Sequence, residues 1–436
     1  MTTTTLHRAA GAALALLLVA AETGASRFII ADRDIDGLWS IADADKSGAI
    51  DDPSGIVLFF DSSNAAGTPT TQNPTCLAVR RDGLVLVGDQ LGRTVYHFQD
   101  LNSDDDALDA GESRIIVSSP NDSGVTIAFP TGAAFDSAGR SFIANAGNTF
   151  GDDAIYLLLD LTNDGDSLDA GEIVEFVGVG AFGAGNGPWG PQEIMFVPAP
   201  VGGDIGFMRN STAGLHGVYR FQDLDNSGRA DDPGEFAAFW DATGASGVVP
   251  LAGFALELDN ASRSPACGLR MYTLQTATGG VDQLVRLSDN NNDGDAQDPN
   301  EAIIVWSTAE AGFTAIDVQS RVDGTVLVTD ASAARLIALR DLDNDGLFVS
   351  PGERTDYFAN PAGPVSTVRQ IALIEPQPCP ADANGDGAVN GADLSVLLSN
   401  FGQQGAGPGF GDFNGDCTVN GADLSVLLGS FGSSCQ

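Results

Sequence analysis

The sequence predicts a mainly β protein: a six-bladed β-propeller with acidic calcium-type loops in its blades, followed by a small helical module. Three observations predict it. One unit of short apolar strands around an acidic loop recurs six times, its loops opening at Asp43, Asp100, Asp160, Asp223, Asp289 and Asp341. The irregular steps, roughly 60 residues each, suit propeller blades with variable loops better than a tight solenoid. Each unit holds four strand-like runs. The first unit lacks an innermost strand, and Val368–Ile374, after the sixth unit, has the character to supply it; such closure removes exposed edges.

Taken in order, the chain opens with His7-Arg8 before an apolar run, Ala9 to Ala21, too short to span a bilayer, with small residues at Ala20, Ala21, Gly24 and Ala25. Residues 1–25 therefore read as a removable signal peptide, and the mature protein is expected outside the cell. No later stretch is apolar for long enough to be a transmembrane segment. Residues 26–376 form the propeller and 377–436 the tail module. In the third unit the strand runs are Thr131–Asp136, Arg140–Asn145, Ala154–Asp160 and Ile173–Val177, short and punctuated by Gly, Asp and Asn. The wording Pro130-Thr-Gly-Ala-Ala-Phe-Asp-Ser-Ala-Gly-Arg140 resembles NHL and SMP-30-like propeller blades.

The acidic loops carry a ligand spacing. Asp100, Asn102, Asp104, Asp106, Asp109 and Glu112 place oxygens at positions 1, 3, 5, 7, 10 and 13. Asp289, Asn291, Asp293, Asp295, Asp298 and Glu301 repeat the set, and Asp160, Thr162, Asp164, Asp166, Asp169 and Glu172 nearly do. Asp341, Asp343, Asp345 and Glu353 keep the core, with Ser350 at the tenth position. Two copies are weaker: the fourth retains Asp223, Asp225 and Glu235 around Ser227, and the first has Ser47 and ends in Gly55. Hard oxygen donors at this density suit Ca2+, and glycine at position 6 in five copies suits the sharp turn a metal loop makes. The competing reading is that Asx-rich turns merely cap hairpins. Placed between third and fourth strands, the loops are expected on the outer rim, far from the central funnel, and to act in stability.

Composition bounds the partners. Asp plus Glu number 59 against 20 Lys plus Arg, which argues against nucleic acid or an anionic membrane surface. With 43% hydrophobic residues and acids confined to punctuated loops, a packed fold with bound cations explains the charge better than disorder.

A catalytic site is harder to find. No GxSxG, HExxH or Rossmann fingerprint occurs. His97 and His216 lie in or beside strands, where packed histidines are the ordinary outcome. The ends of the second strands, Asp32, Asp89, Asn145, Arg209, Gln275 and Asp330, are expected to point toward one face of the funnel as a candidate ligand-binding set. SMP-30-like lactonases place acidic and amide ligands for a divalent ion in such a funnel, and NHL-type blades close a strand hairpin with such an Asp. Gly180 to Gly190, with Trp189, is a loop that could cover that face and stack on a sugar ring.

In the tail, Asp382, Asn384, Asp386, the carbonyl of Ala388, Asn390 and Asp393 recur thirty residues on as Asp412, Asn414, Asp416, the carbonyl of Thr418, Asn420 and Asp423. These are positions 1, 3, 5, 7, 9 and 12 of a duplicated calcium loop, each running into an apolar helix-like segment, Leu394 to Leu398 and Leu424 to Leu428. The twelfth ligand is Asp rather than Glu, and Pro378 and Pro380 leave no helix ahead of the first loop. At these residues the chain resembles a type I dockerin module, over about residues 379 to 436. The resemblance implies a cohesin-like partner; the flanking Cys379 and Cys435 resemble the tails of secreted planctomycete-type proteins, for which a cell-envelope partner is the alternative. Cys379, Cys417 and Cys435 are the disulfide candidates, with Cys379 to Cys435 the simplest closure.

The functional expectation is a secreted calcium-binding propeller for binding or display, with a carbohydrate as one ligand class. The alternatives are a polysaccharide-directed or lactone-directed enzyme and a quinone-dependent sugar dehydrogenase.

Overall fold

The computed structural model describes residues 27–45, 47–147, 153–178, 190–199, 203–260, 268–277, 279–308, 310, 312–359, 363–374, 381–384, 388–404 and 407–433. The expected signal peptide, the linker before the tail, Trp189, Asp386, Cys379 and Cys435 lie outside the described residues.

Six antiparallel sheets of four strands make the propeller. Blade three is Pro130–Phe135, Ser141–Asn145, Ala154–Leu158 and Ile173–Val177, counted from the axis outward. Each bounds one of the strand runs expected from sequence. Blade one closes the ring across the chain: Gln370–Ile374 pairs with Arg27–Asp32, Ile374 opposite Arg27 and Gln370 opposite Ala31. Both sides of this innermost strand then meet neighbours, Pro74–Val79 of blade two and Ala315–Ser320 of blade six. The strand expected to complete blade one does so.

The cores lie between blades. Ile29, Leu38 and Phe60 of blade one pack with Val85 and Phe98 of blade two, and the Phe60 and Phe98 rings sit 4.4 Å apart. Second strands are covered on both faces, so Val85–Asp89, Ser141–Asn145 and Val326–Asp330 are buried at every residue. That is why they read as unbroken apolar runs rather than alternating ones.

The tail holds two helices, α1 (Gly391–Ser399) and α2 (Gly421–Ser430). Each begins because an Asn side chain accepts from the backbone two residues on, Asn390 from Ala392 and Asn420 from Ala422, while Asp393 and Asp423 reach back to the cap amide. Val389, Leu397, Val419 and Leu427, all fully buried, form the small core between them. Among the described residues no helix is long and apolar enough to cross a membrane.

Candidate functional site: acidic loops and an axial cavity

Each blade loop is organised around its first aspartate. In blade five the Asp289 carboxylate accepts the amide of Asp293 at 3.1 Å and that of Gly294 at 3.0 Å. The same two bonds, to residues 5 and 6, recur from Asp43, Asp100, Asp160, Asp223 and Asp341. Residue 6 adopts a left-handed backbone in all six loops, which explains its glycines and leaves Asp105 the exception. The last carboxylate closes the loop from the other side: Glu301 accepts from Asn290 and Asp298, both at 2.9 Å, and Glu112, Glu172, Glu235 and Glu353 do the same in their blades.

This wiring holds carboxylates against one another. Asp104, Asp106 and Glu112 present oxygens within 4.8 Å of each other; so do Asp223, Asp225 and Glu235, and Asp341, Asp343 and Glu353. Loop four, a weaker copy by sequence, thus converges like those of blades two and six. Ligand positions 3 and 10 meet directly, since the Asn102 amide donates to Asp109 and the Asn291 amide to Asp298, each at 2.7 Å. Asp164, Asp166 and Asp169 lie in the equivalent loop of blade three, and Asp295 and Asp345 in those of blades five and six. Burial, then the charges of Asp104, Glu112 and Asp109, raises the Asp106 carboxyl above its usual range, and Asp295 is raised by burial and the equivalent neighbours. A divalent cation would relieve that repulsion with oxygen donors alone. Loop one differs because a side chain on Gly55 would press into the Ala42 carbonyl oxygen, so no thirteenth carboxylate fits.

The tail loops repeat the pattern. Asp412 accepts from Asp416 and Cys417, and Asp412, Asp416 and Asp423 form a carboxylate group of the same size. Asn414 Nδ2 donates to Asp416, and Asn420 Nδ2 donates to the carbonyl of Thr418. In the first loop Asp393 accepts from Ala383 and Asn384, and Asn390 Nδ2 donates to the carbonyl of Ala388; Asp382 opens that loop. Burial, ahead of the Asp423 and Asp416 charges, raises the Asp412 carboxyl. Cys417 is disulfide-bonded, whereas Cys76 is a free buried thiol.

The strand-end set expected in the funnel has other work. Asp32 accepts from the amides and hydroxyls of Ser366 and Thr367, Asp89 from the amides of Gln72 and Asn73, and Asp330 from Thr314. Asn145 accepts from Ala128 and Phe129, and Gln275 from Leu251. Each holds the segment that leads into its own blade's innermost strand. In blade four the position belongs to Asn210, which accepts from Gly190, one residue past the expected Arg209. Arg209 instead lies fully buried, donating to the carbonyls of Gly217 and Leu251 over the Trp240 ring.

The axial cavity, about 890 Å³, opens at the other end of the ring, where innermost strands turn into second strands at Arg80–Asp82. All six innermost strands line it. Third strands run toward this same end, so the acidic loops share its face, offset from the mouth by two strand spacings, about 10 Å. The loops are peripheral, as expected, but nearer the funnel mouth than sequence implied.

Facing the cavity are Glu193, Glu257, Asp317 and Gln319, none singled out from sequence. Asp317 accepts the amides of Val318 and, across the blade seam, Ile371, both at 2.8 Å. Gln319 Oε1 accepts from Leu373, and its amide donates to Glu257. Burial pushes the Asp317 carboxyl up to about 7, and burial followed by the Asp317 charge holds Glu193 well above the carboxylate range. The available signal was an acid inside an otherwise apolar innermost run, as in Pro191-Gln-Glu193-Ile and Ala315-Ile-Asp317-Val.

His97 and His216 are structural in setting. His97 Nε2 lies 3.3 Å from Ser141 Oγ, and burial, with Arg114 and Arg80 nearby, lowers it to about 3; burial and Arg209 lower His216.

No protein-family model and no curated protein matches the chain. Solved structures similar to it include the nidogen/laminin complex, 13% identical with a TM-score of 0.49, covering 80% of this chain and 98% of that one. The PQQ-bound aldose sugar dehydrogenase of Streptomyces coelicolor is 13% identical, TM-score 0.46, over 69% and 84%. The calcium-binding protein regucalcin of Agrobacterium tumefaciens is 11% identical, TM-score 0.40, over 64% and 73%.

Proposed function

We propose that this chain is an exported, calcium-loaded propeller that binds or displays, fixed through a dockerin-like tail to a cohesin-like or cell-envelope protein. The observation that carries the calcium reading is the common wiring of the loops: one register of amide bonds, with three carboxylates converging in three blades and one tail loop. The tethering reading rests on the duplicated tail loops, each leading into a capped helix, and on the leader-like first 25 residues. Domain limits at 26–376 and 377–436 belong to the same proposal. Calorimetric titration of the chelator-stripped protein with CaCl2 tests the first part; more than two ions should bind, and an absence of heat would overturn it.

A second reading, an enzyme acting on polysaccharides or sugar lactones, is favoured by the axial cavity with two buried carboxyls, Asp317 pushed up to about 7 and Glu193 raised well above the carboxylate range by burial. Turnover of uronic-acid oligomers or lactones that disappears in Glu193→Gln or Asp317→Asn, with the folded circular-dichroism spectrum retained, would replace display with catalysis. The same groups give a pH signature. Folded Asp317 keeps a proton that the unfolded chain releases near 4, so this group's contribution to stability falls as pH rises from about 4 to about 7. In excess chelator, Asp317→Asn should flatten that part of the melting-temperature profile, and an unaltered profile would mean the proton is not there.

A further inference from the structure

The fourth strand of each blade is an outer edge, and an unpaired edge is a template for unwanted pairing. Here the edge is taken by the next blade's loop. The amide at loop position 8 donates to a carbonyl in the middle of the preceding blade's fourth strand: Ala107 to Phe59 at 2.8 Å, Ala296 to Phe239 at 2.7 Å, Phe348 to Val305 at 2.8 Å. The bond recurs at Ser167 and Ala230, and at the ring closure Ile50 donates to Tyr357 at 2.6 Å. The residue-8 side chain is buried in the same seam, Ile50 with Tyr357 and Phe358, Phe348 with Val305 and Trp306. Arginines of the preceding blade reach the same loops at position 6: Arg220 donates to the Gly294 carbonyl, Arg286 to that of Gly346, both at 3.0 Å, and Arg27 pairs with Asp105.

We propose that ion occupancy of each loop controls the stability of the preceding blade's outer strand, so that calcium locks the ring seam by seam. The inference rests on the calcium reading above. In the loops of blades two, three and five residue 8 follows an Asp at ligand position 7, whose carboxylate in turn accepts the amide of residue 9, as Asp295 does from Gln297 at 2.9 Å. An ion that orders position 7 therefore fixes the amide that clasps the neighbour.

Loop one supplies an internal control, because it ends in Gly55 and lacks the last carboxylate. Its clasp falls on blade six, whose own loop keeps the last carboxylate, Glu353, whereas blade one is clasped by the complete loop of blade two. Amide hydrogen exchange on the intact protein, with excess calcium and with excess EGTA, separates the two assignments. Chelation should speed exchange of Ile56–Phe60 about tenfold or more and leave Arg354–Ala359 the least affected of the fourth strands. The reverse order, Arg354–Ala359 sensitive and Ile56–Phe60 spared, would show that each loop holds its own blade and overturn the proposal. Asp293→Asn in calcium gives a second arm: faster exchange should appear in Phe236–Trp240 of blade four. A change confined to residues 289–308 would count against the seam. If EGTA alters exchange nowhere and calorimetry detects no calcium binding, the calcium reading itself has failed.

Discussion

The blade loops and the tail loops begin alike and end differently. Asp289 in blade five and Asp412 in the tail each accept the amides of residues 5 and 6. They part at the last carboxylate, Glu301 at position 13 and Asp423 at position 12. Each of these accepts the amide three residues before it, Asp298 at 2.9 Å and Asn420 at 2.8 Å, and each also accepts the amide of residue 2, Asn290 or Phe413. The closing turn has slid by one residue as a unit. In the tail the turn must double as a helix cap, so Asn420 is the N-cap and Asp423 falls at the third helical position. In the blade a strand follows, position 12 is left-handed, as at Asn300, and the longer Glu spans the extra distance. The element that leaves a calcium-type loop thus sets the place and length of its final ligand.

The largest test removes the ions altogether. If both loop classes bind calcium, each site held at about a hundred times its dissociation constant adds about 2.7 kcal/mol, so excess EGTA should lower both melting transitions. With more loops, the propeller should lose more than the tail. Calorimetry showing both transitions unmoved would break the comparison at its root.

Exchanging the last carboxylates sharpens it. Glu301→Asp withdraws the acceptor for two amides at a buried position, a loss of about 2 kcal/mol. Asp423→Glu forces an added methylene into a fully buried site, at about 1 to 3 kcal/mol, and should affect the tail transition alone. Tolerance of either exchange in thermal unfolding would mean that ligand length is not set by the exit element.

The smallest effect is expected at position 9. Asn420→Ala removes a helix cap and should cost the tail about 1 kcal/mol. Val349→Ala, at the same position in blade six, alters an exposed side chain with a strand ahead and should stay within about 0.5 kcal/mol. Equal losses would erase the distinction.

Much of this was legible in the chain. Local order carries the loop register, because residues 1, 5 and 6 bond within six positions of one another, and glycine at position 6 announces the left-handed turn. The four-strand rhythm and the closing strand near Ile374 were equally open, since short apolar runs and the turns between them are written in consecutive residues. Asn390 and Asn420 mark the starts of α1 and α2 for the same reason.

Side-chain destinations across the ring were not legible. Asp89 and Asp317 are both acids at strand positions, yet one is consumed by the amides of Gln72 and Asn73 while the other borders the axial cavity. Which strand edge faces the axis, and which blade supplies the amide of Ile371, depends on how six sheets meet. Likewise the sequence determined that Ala107 and Ile50 occupy position 8, and only the tertiary structure decided that their amides clasp Phe59 and Tyr357 of the preceding blade. The physical reason is range: turns, caps and loop ligands are fixed by bonds between near neighbours in the chain, whereas a seam is fixed by shape and edge geometry between sheets that the chain connects only through the ring.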